Sequence, residues 1–135
     1  MQNALKLFKA FSDETRLRIV NLLLERECSV CEVMQAMRIS QTRASRGLTT
    51  LYNTGILKVR RDGLWVLYSI NEDGIEESYD CLFRLVRSAL RGDEVADGDR
   101  ERLKGTVRVS PCTGRAKPLE RQLPKEHIQT RVNKI

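Results

Sequence analysis

The sequence predicts a mainly α-helical fold with one small β-hairpin, and three observations predict it. Apolar residues recur at helical spacing through residues 3–11, 14–24 and 75–91. Two further short helices, at about 30–37 and from 41 onward, are separated only by Arg38, Ile39 and Ser40. Two helices joined by so tight a turn make a helix-turn-helix. Finally, an Asp62-Gly63 pair lies between two β-type runs, as a hairpin turn requires.

Each element has its own local reason. Leu5 and Phe8, with Leu7 and Phe11, give the first helix an apolar side. Ser12 is expected to cap a second helix whose first turn holds Asp13 and Glu14. Leu17, Ile19, Val20, Leu23 and Leu24 form its inner side. Ser29 followed three residues later by Glu32 matches a capping box, so a third helix should begin at Val30 and bury Val33, Met34 and Met37. Ser40 caps the fourth, Leu48 and Leu51 line its underside, and Gly55 ends it. Residues 56–59 and 64–70 are the strands of the hairpin, with residues 60–63 as its turn. A long helix over 75–91 follows, carrying Ile75, Tyr79, Leu82, Phe83, Val86 and Leu90.

Composition bounds the rest. The 135 residues leave room for one domain with a modest core. With 41% hydrophobic but only 5% aromatic residues, that core must be built from Leu, Ile and Val. Residues 93–135 are polar, hold all 3 prolines and show no sustained period. They are expected to be a weakly ordered tail carrying Cys112, which leaves 1–92 as the folded domain. No stretch approaches the roughly 18–20 apolar residues that span a bilayer, so no membrane partner is expected. The first residues lack a signal pattern, and 4 cysteines without one read as reduced thiols in a cytoplasm.

The net charge of +6 favours an anionic partner, and its distribution names one. Residues 38–61 hold 6 basic side chains and no acidic one, while residues 62–79 hold 5 acidic and no basic ones. A short helix with an apolar underside and a cationic upper side suits the DNA major groove. Thr42, Arg43, Ser45 and Arg46 are the candidates for groove contacts, with Thr49 on the outer surface. Ser40 and Gln41 lie at the helix start near the phosphates, and Arg60 and Arg61 would serve the hairpin as a wing. An enzyme is not expected: the chain has no glycine-rich phosphate loop, no histidine in its folded part and no acid pair in a credible pocket.

Cys28 and Cys31 stand at i and i+3 around a helix N-terminus, a spacing that places β-carbons roughly 5–6 Å apart on one side. Positive backbone charge there favours thiolates, the form that binds soft ions.

The ordered blocks Phe-Ser-Asp-Glu-Thr-Arg-Leu-Arg-Ile-Val, the Cys-rich helix, Ser-Gln-x-x-x-Ser-Arg-x-Leu-x-x-Leu, Gly-Ile-Leu, Arg-Arg-Asp-Gly and a returning Tyr68 resemble the ArsR/SmtB winged-helix repressors over residues 4–91. The resemblance implies a homodimer through the helices at 3–11 and 75–91. It also implies binding to a palindromic operator in double-stranded DNA, and release when a metal or metalloid binds. No constitutive cofactor is implied; the inducer is arsenite, or antimonite, cadmium or lead. Arsenic and cadmium sensors of the family carry Glu-Leu-Cys-Val-Cys-Asp/Glu-Leu where this chain has Glu27-Cys28-Ser29-Val30-Cys31-Glu32-Val33. Cys31 matches the second family cysteine, and Cys28 is displaced by one residue. Gly47 stands where many relatives carry histidine. Arsenite takes three sulfurs, so a third must come from Cys112, the preferred donor, or from Cys81, which otherwise reads as a packing residue. Relatives that sense zinc or nickel use histidine and carboxylates on the long helix, and here the single histidine is His127 in the tail. The alternative is a repressor that senses oxidants or reactive sulfur through Cys28 or Cys31 with Cys81.

Overall fold

The computed structural model describes residues 1–72 and 77–108. Helix α1 (Gln2–Phe11) turns Leu7 and Ala10 inward and leaves Leu5 and Phe8 exposed. Ser12 belongs to this helix rather than the next, because its hydroxyl donates to the Phe8 carbonyl at 2.8 Å. Asp13 is therefore the cap of α2 (Glu14–Leu23): its extended backbone aims a carboxylate oxygen at the Arg16 amide, 2.9 Å away. Sequence reading chose the wrong one of two adjacent capping residues.

The capping box of α3 (Val30–Met37) forms as expected. The Glu32 amide donates to Ser29 Oγ at 3.3 Å, and the Ser29 amide donates to Glu32 Oε1 at 3.0 Å. Arg38 ends the helix in the left-handed region, at φ 55°, a conformation that costs a non-glycine residue roughly 1–2 kcal/mol. Helix α4 (Gln41–Asn53) starts on Ser40, whose hydroxyl accepts from the Arg43 amide at 3.2 Å. Its inner side is Ala44, Gly47, Leu48 and Leu51. Gly47 is inside for a packing reason: a β-carbon there would lie 2.5 Å from Ile19 Cδ1 on α2. The residue that departs from the family's histidine thus lets two helices approach.

The β part is larger than a hairpin. Strands β2 (Leu57–Asp62) and β3 (Trp65–Ile70) pair antiparallel with Asp62 opposite Trp65. The loop is therefore Gly63-Leu64, one residue later than expected, with Gly63 at φ 61° as such a two-residue loop demands. A third strand, β1 (Cys28–Ser29), lies on the other side of β3, giving the order β1-β3-β2. Two residues are too short to show a period of two, so this strand has no sequence signature.

Helix α5 (Glu77–Ala89) sets Phe83 edge-on to Phe11, ring centres 6.2 Å apart, and buries Val86. The main departure comes next. Residues 94–104, expected to begin a weakly ordered tail, form α6 (Glu94–Lys104), capped by Asp93 and packed against α2 and α3. Ala96 and Leu103 are its apolar anchors, but charged Asp99 is buried between them and Arg100 and Arg102 are half-buried beside it, which is why hydrophobic periodicity did not reveal it. The rest of the core is mostly aliphatic, centred on Ile19, Val20, Leu22, Val33, Leu48, Leu51, Ile56 and Leu67, with Tyr68 and Phe83 as its buried aromatics.

Candidate nucleic-acid interface and cysteine site

Helix α4 carries the expected surface. With Ala44, Leu48 and Leu51 buried, Thr42, Arg43, Arg46 and Thr50 are exposed, and Gln41, Ser45 and Thr49 are half-buried at its margins. The Arg43 guanidinium donates to the Thr15 hydroxyl at 2.8 Å, which holds it across the opening between α4 and the start of α2. That opening, about 460 Å³, sets Thr15 and Arg16 opposite Arg43, Arg46 and Thr50. Thr15 and Arg16 were not anticipated at the site. Their only sequence signal is their place in the first turn of the helix that α4 packs on.

The wing divides its two arginines. Arg61 is exposed near the tip, whereas Arg60 forms a two-pronged ion pair with Glu27, one bond 2.9 Å long. The guanidinium holds the Glu27 carboxyl below the ordinary carboxylate range, against the opposing effect of burial. Arg60 thus ties the wing to the segment before β1. A DNA contact from Arg60, as the sequence leads one to expect, would have to be made from within this ion pair.

The two cysteines do not share one helix face. Cys28 lies on β1, before the helix cap, so helical i,i+3 spacing does not apply to it. It pairs with Tyr68 across the sheet, is fully buried in the aliphatic core, and its thiol is pushed up to about 12 by that burial. Burial there opposes the thiolate expected at Cys28. Cys31, the second residue of α3, is buried and disulfide-bonded. Cys81, expected to pack, is instead an exposed free thiol on α5. Cys112 and His127 lie outside the described residues. Among the described residues, no group of three or more His, Cys, Asp or Glu side chains could hold a metal ion.

Beside Cys31 is a polar cluster that sequence reading missed. Glu32 is buried, and besides the capping box it receives Arg26 and, at 2.8 Å, Arg108. Burial opposes its ionisation, but bonds from Arg108, the Ser29 amide and Arg26 prevail and hold the carboxyl below its ordinary range. Arg26 also donates to the Leu103 carbonyl at 3.1 Å and the Thr106 hydroxyl at 3.0 Å. Gln35 and Val107 exchange two bonds of 2.8 and 3.2 Å. Residues 103–108 are thus laced along α3.

A reading helix with a cationic outer face, a turn, and an adjoining hairpin define a winged helix-turn-helix DNA-binding protein. The family model described as "Bacterial regulatory protein, arsR family" matches residues 13–59. The chain is 44% identical over 95 residues to the arsenical resistance operon repressor of Escherichia coli, covering 64% of this chain and 81% of that one. It is 39% identical over 79 residues to a cadmium resistance transcriptional regulatory protein CadC homolog of Staphylococcus aureus, covering 58% of this chain. There it spans 65% of the relative, just under two thirds of its length. The homodimeric winged helix-turn-helix domain Mb0332 of Mycobacterium bovis superposes with a TM-score of 0.57 at 28% identity, covering 69% of this chain and 82% of that one. The chain belongs to the arsR family, and it is a DNA-binding transcriptional regulator. Among the described residues, no helix is long and apolar enough to cross a membrane.

Proposed function

We propose that the protein is a homodimeric repressor that inserts α4 of each subunit into a palindromic operator and leaves it when arsenite binds at Cys31. Antimonite, cadmium and lead are the competing inducers. The observation that carries this reading is the place of Cys31, in the first turn of the helix that precedes the reader. An ion gathered there acts on α3 and, through the Arg38 turn, on α4. Relatives named for arsenical and for cadmium resistance favour a thiophilic ion. Homodimerisation is supported by Leu5 and Phe8 on α1 and Leu85 on α5, large apolar side chains left exposed on the two helices expected to meet a second copy.

Cys112 is the second sulfur donor in this reading, and with Cys28 sealed in the core a hydroxide retained from arsenite, rather than the expected third sulfur, completes the three ligands of arsenic. Val107 is bonded to Gln35, one turn from Cys31, and the five residues from Val107 to Cys112 reach at most roughly 17 Å. A helical turn advances only about 5.4 Å, so the two sulfurs can meet within one subunit. Cys28 is a packing residue that could join only if β1 opened.

Anisotropy of a labelled fragment of the gene's own promoter, titrated with arsenite against reduced protein, tests the reading. Tight binding should be lost near stoichiometric arsenite, and Cys31→Ser should bind equally well yet stay bound. If Cys31→Ser protein leaves DNA at the same arsenite level, the site is elsewhere. A second reading, release by oxidants or reactive sulfur, is favoured by the disulfide at Cys31. Release by peroxide, with arsenite inert on reduced protein, would select it.

A further inference from the structure

We propose that Asp99, on α6, is a positioning residue for the DNA reader, acting through Arg18 and Arg102 on the last carbonyls of α3. Its carboxylate is fully buried and is gripped from two sides. Arg18 of α2 donates to it through Nε at 2.7 Å and a terminal nitrogen at 2.9 Å, and Arg102 of α6 adds a bond of 2.8 Å. Each arginine also holds the end of α3. The terminal nitrogen of Arg18 donates to the Met37 carbonyl at 3.0 Å, and Arg102 Nε to the Ala36 carbonyl at 2.6 Å.

Ala36 and Met37 are the last residues before left-handed Arg38, the point at which the chain turns from α3 into α4. Carbonyls at a helix C-terminus have no intrahelical partner, so whatever donates to them sets how the helix end is held. Here the donors are two planar guanidiniums, each with one edge on a carbonyl and another on the same carboxylate. Remove the carboxylate charge and both forks can rotate. The carbonyls then lose their common reference, and the angle between α3 and α4 is set by apolar packing alone. Reading two successive major grooves requires both α4 helices of a dimer to be held in register. A loosened angle should therefore cost sequence discrimination more than general attraction to phosphate, which depends on charge and not on register. Neither the capping pattern nor the charge run of α4 involves this cluster, and it joins residues 81 positions apart in the chain.

The proposal rests on α4 being the reader. Its test uses the full chain and compares affinity for the operator with affinity for a scrambled duplex of equal length, at a temperature well below the melting point of each variant. Asp99→Asn should lower the operator-to-scrambled ratio by about tenfold or more. Because uncharging a buried group that anchors two half-buried arginines can prevent folding, Arg102→Lys is the companion. It keeps the net charge, and a lysine can meet Asp99 or the Ala36 carbonyl but has no planar fork to hold both. That variant should remain folded and lose about threefold to tenfold of the ratio, with its scrambled-duplex affinity unchanged. A wild-type protein without operator preference would defeat the reading of α4 itself. If wild type discriminates and Arg102→Lys does so equally, Asp99 is a stability residue only and the proposal is overturned, whether or not Asp99→Asn folds.

Discussion

Arginines on the two sides of the reading motif do opposite work. Arg43 and Arg46 of α4 stand on an exposed surface, where the hydroxyl of Thr15 accepts from Arg43. On the far side of α3, Arg18, Arg26 and Arg102 face buried carboxylates and backbone carbonyls. The first group presents charge outward, and the second is consumed inside. Net charge counts them alike, so the +6 balance by itself says little about which residues meet DNA. Arg60 shows the point within a single strand: counted with the wing, it is paired with Glu27, while its neighbour Arg61 is exposed.

Arg46 belongs wholly to the outward group. Arg46→Ala should weaken operator binding by roughly 10- to 100-fold and flatten its dependence on salt, since a base or phosphate contact of this kind is worth about 1–3 kcal/mol. Its melting temperature should barely move. A large melting shift would place Arg46 with the inner group instead.

Glu32→Gln probes the inner group. Glutamine keeps the capping box but strands Arg26 and Arg108, both partly exposed, so the loss should be about 1–2 kcal/mol with operator affinity nearly intact. The same carboxylates set the acid limit. Glu27 and Glu32 are held below their ordinary range when folded, so their contribution is fully present above the unfolded value of about 4.3. It disappears as pH falls through their lower folded values. Melting curves from pH 7 down to 3 should show that loss, and Glu32→Gln should make the descent shallower. An equally steep descent in the variant would remove Glu32 from the account.

Cys28→Ser sharpens the contrast between the cysteines. A hydroxyl in the aliphatic core should destabilise by about 1–2 kcal/mol and leave inducer release unchanged. Release lost along with Cys28 at full folding would return it to the site. Arg60→Ala should have the smallest effect. A partly exposed ion pair is worth at most about 1 kcal/mol, and operator affinity should fall by less than about threefold, which titration of both proteins at one salt concentration would show.

Much of this was legible because it is local. Ser29 and Glu32 close a capping box over four residues, Ser40 caps α4, and the outward set on α4 follows from the inward spacing of Leu48 and Leu51. Where two local signals compete, as at Ser12 and Asp13, the sequence offered both and the backbone chose. The Cys-x-x-Cys spacing misled for a related reason: it presumes that both thiols ride one helix, and β1 intervenes.

The reader was legible from residue order alone: its helix-turn-helix, its hairpin, its cationic face and the family that carries them. All of these rest on contacts within a few residues, where residue type and spacing carry the physics directly. Tertiary structure alone decided which thiol is sealed in the core, which arginines are already engaged, and that α6 is part of the domain. Those outcomes depend on Asp99 meeting Arg18, Glu32 meeting Arg108 and Cys28 meeting Tyr68, pairs 81, 76 and 40 positions apart in the chain. Desolvation and pairing at such distances are settled by packing, and no pattern along the chain encodes them.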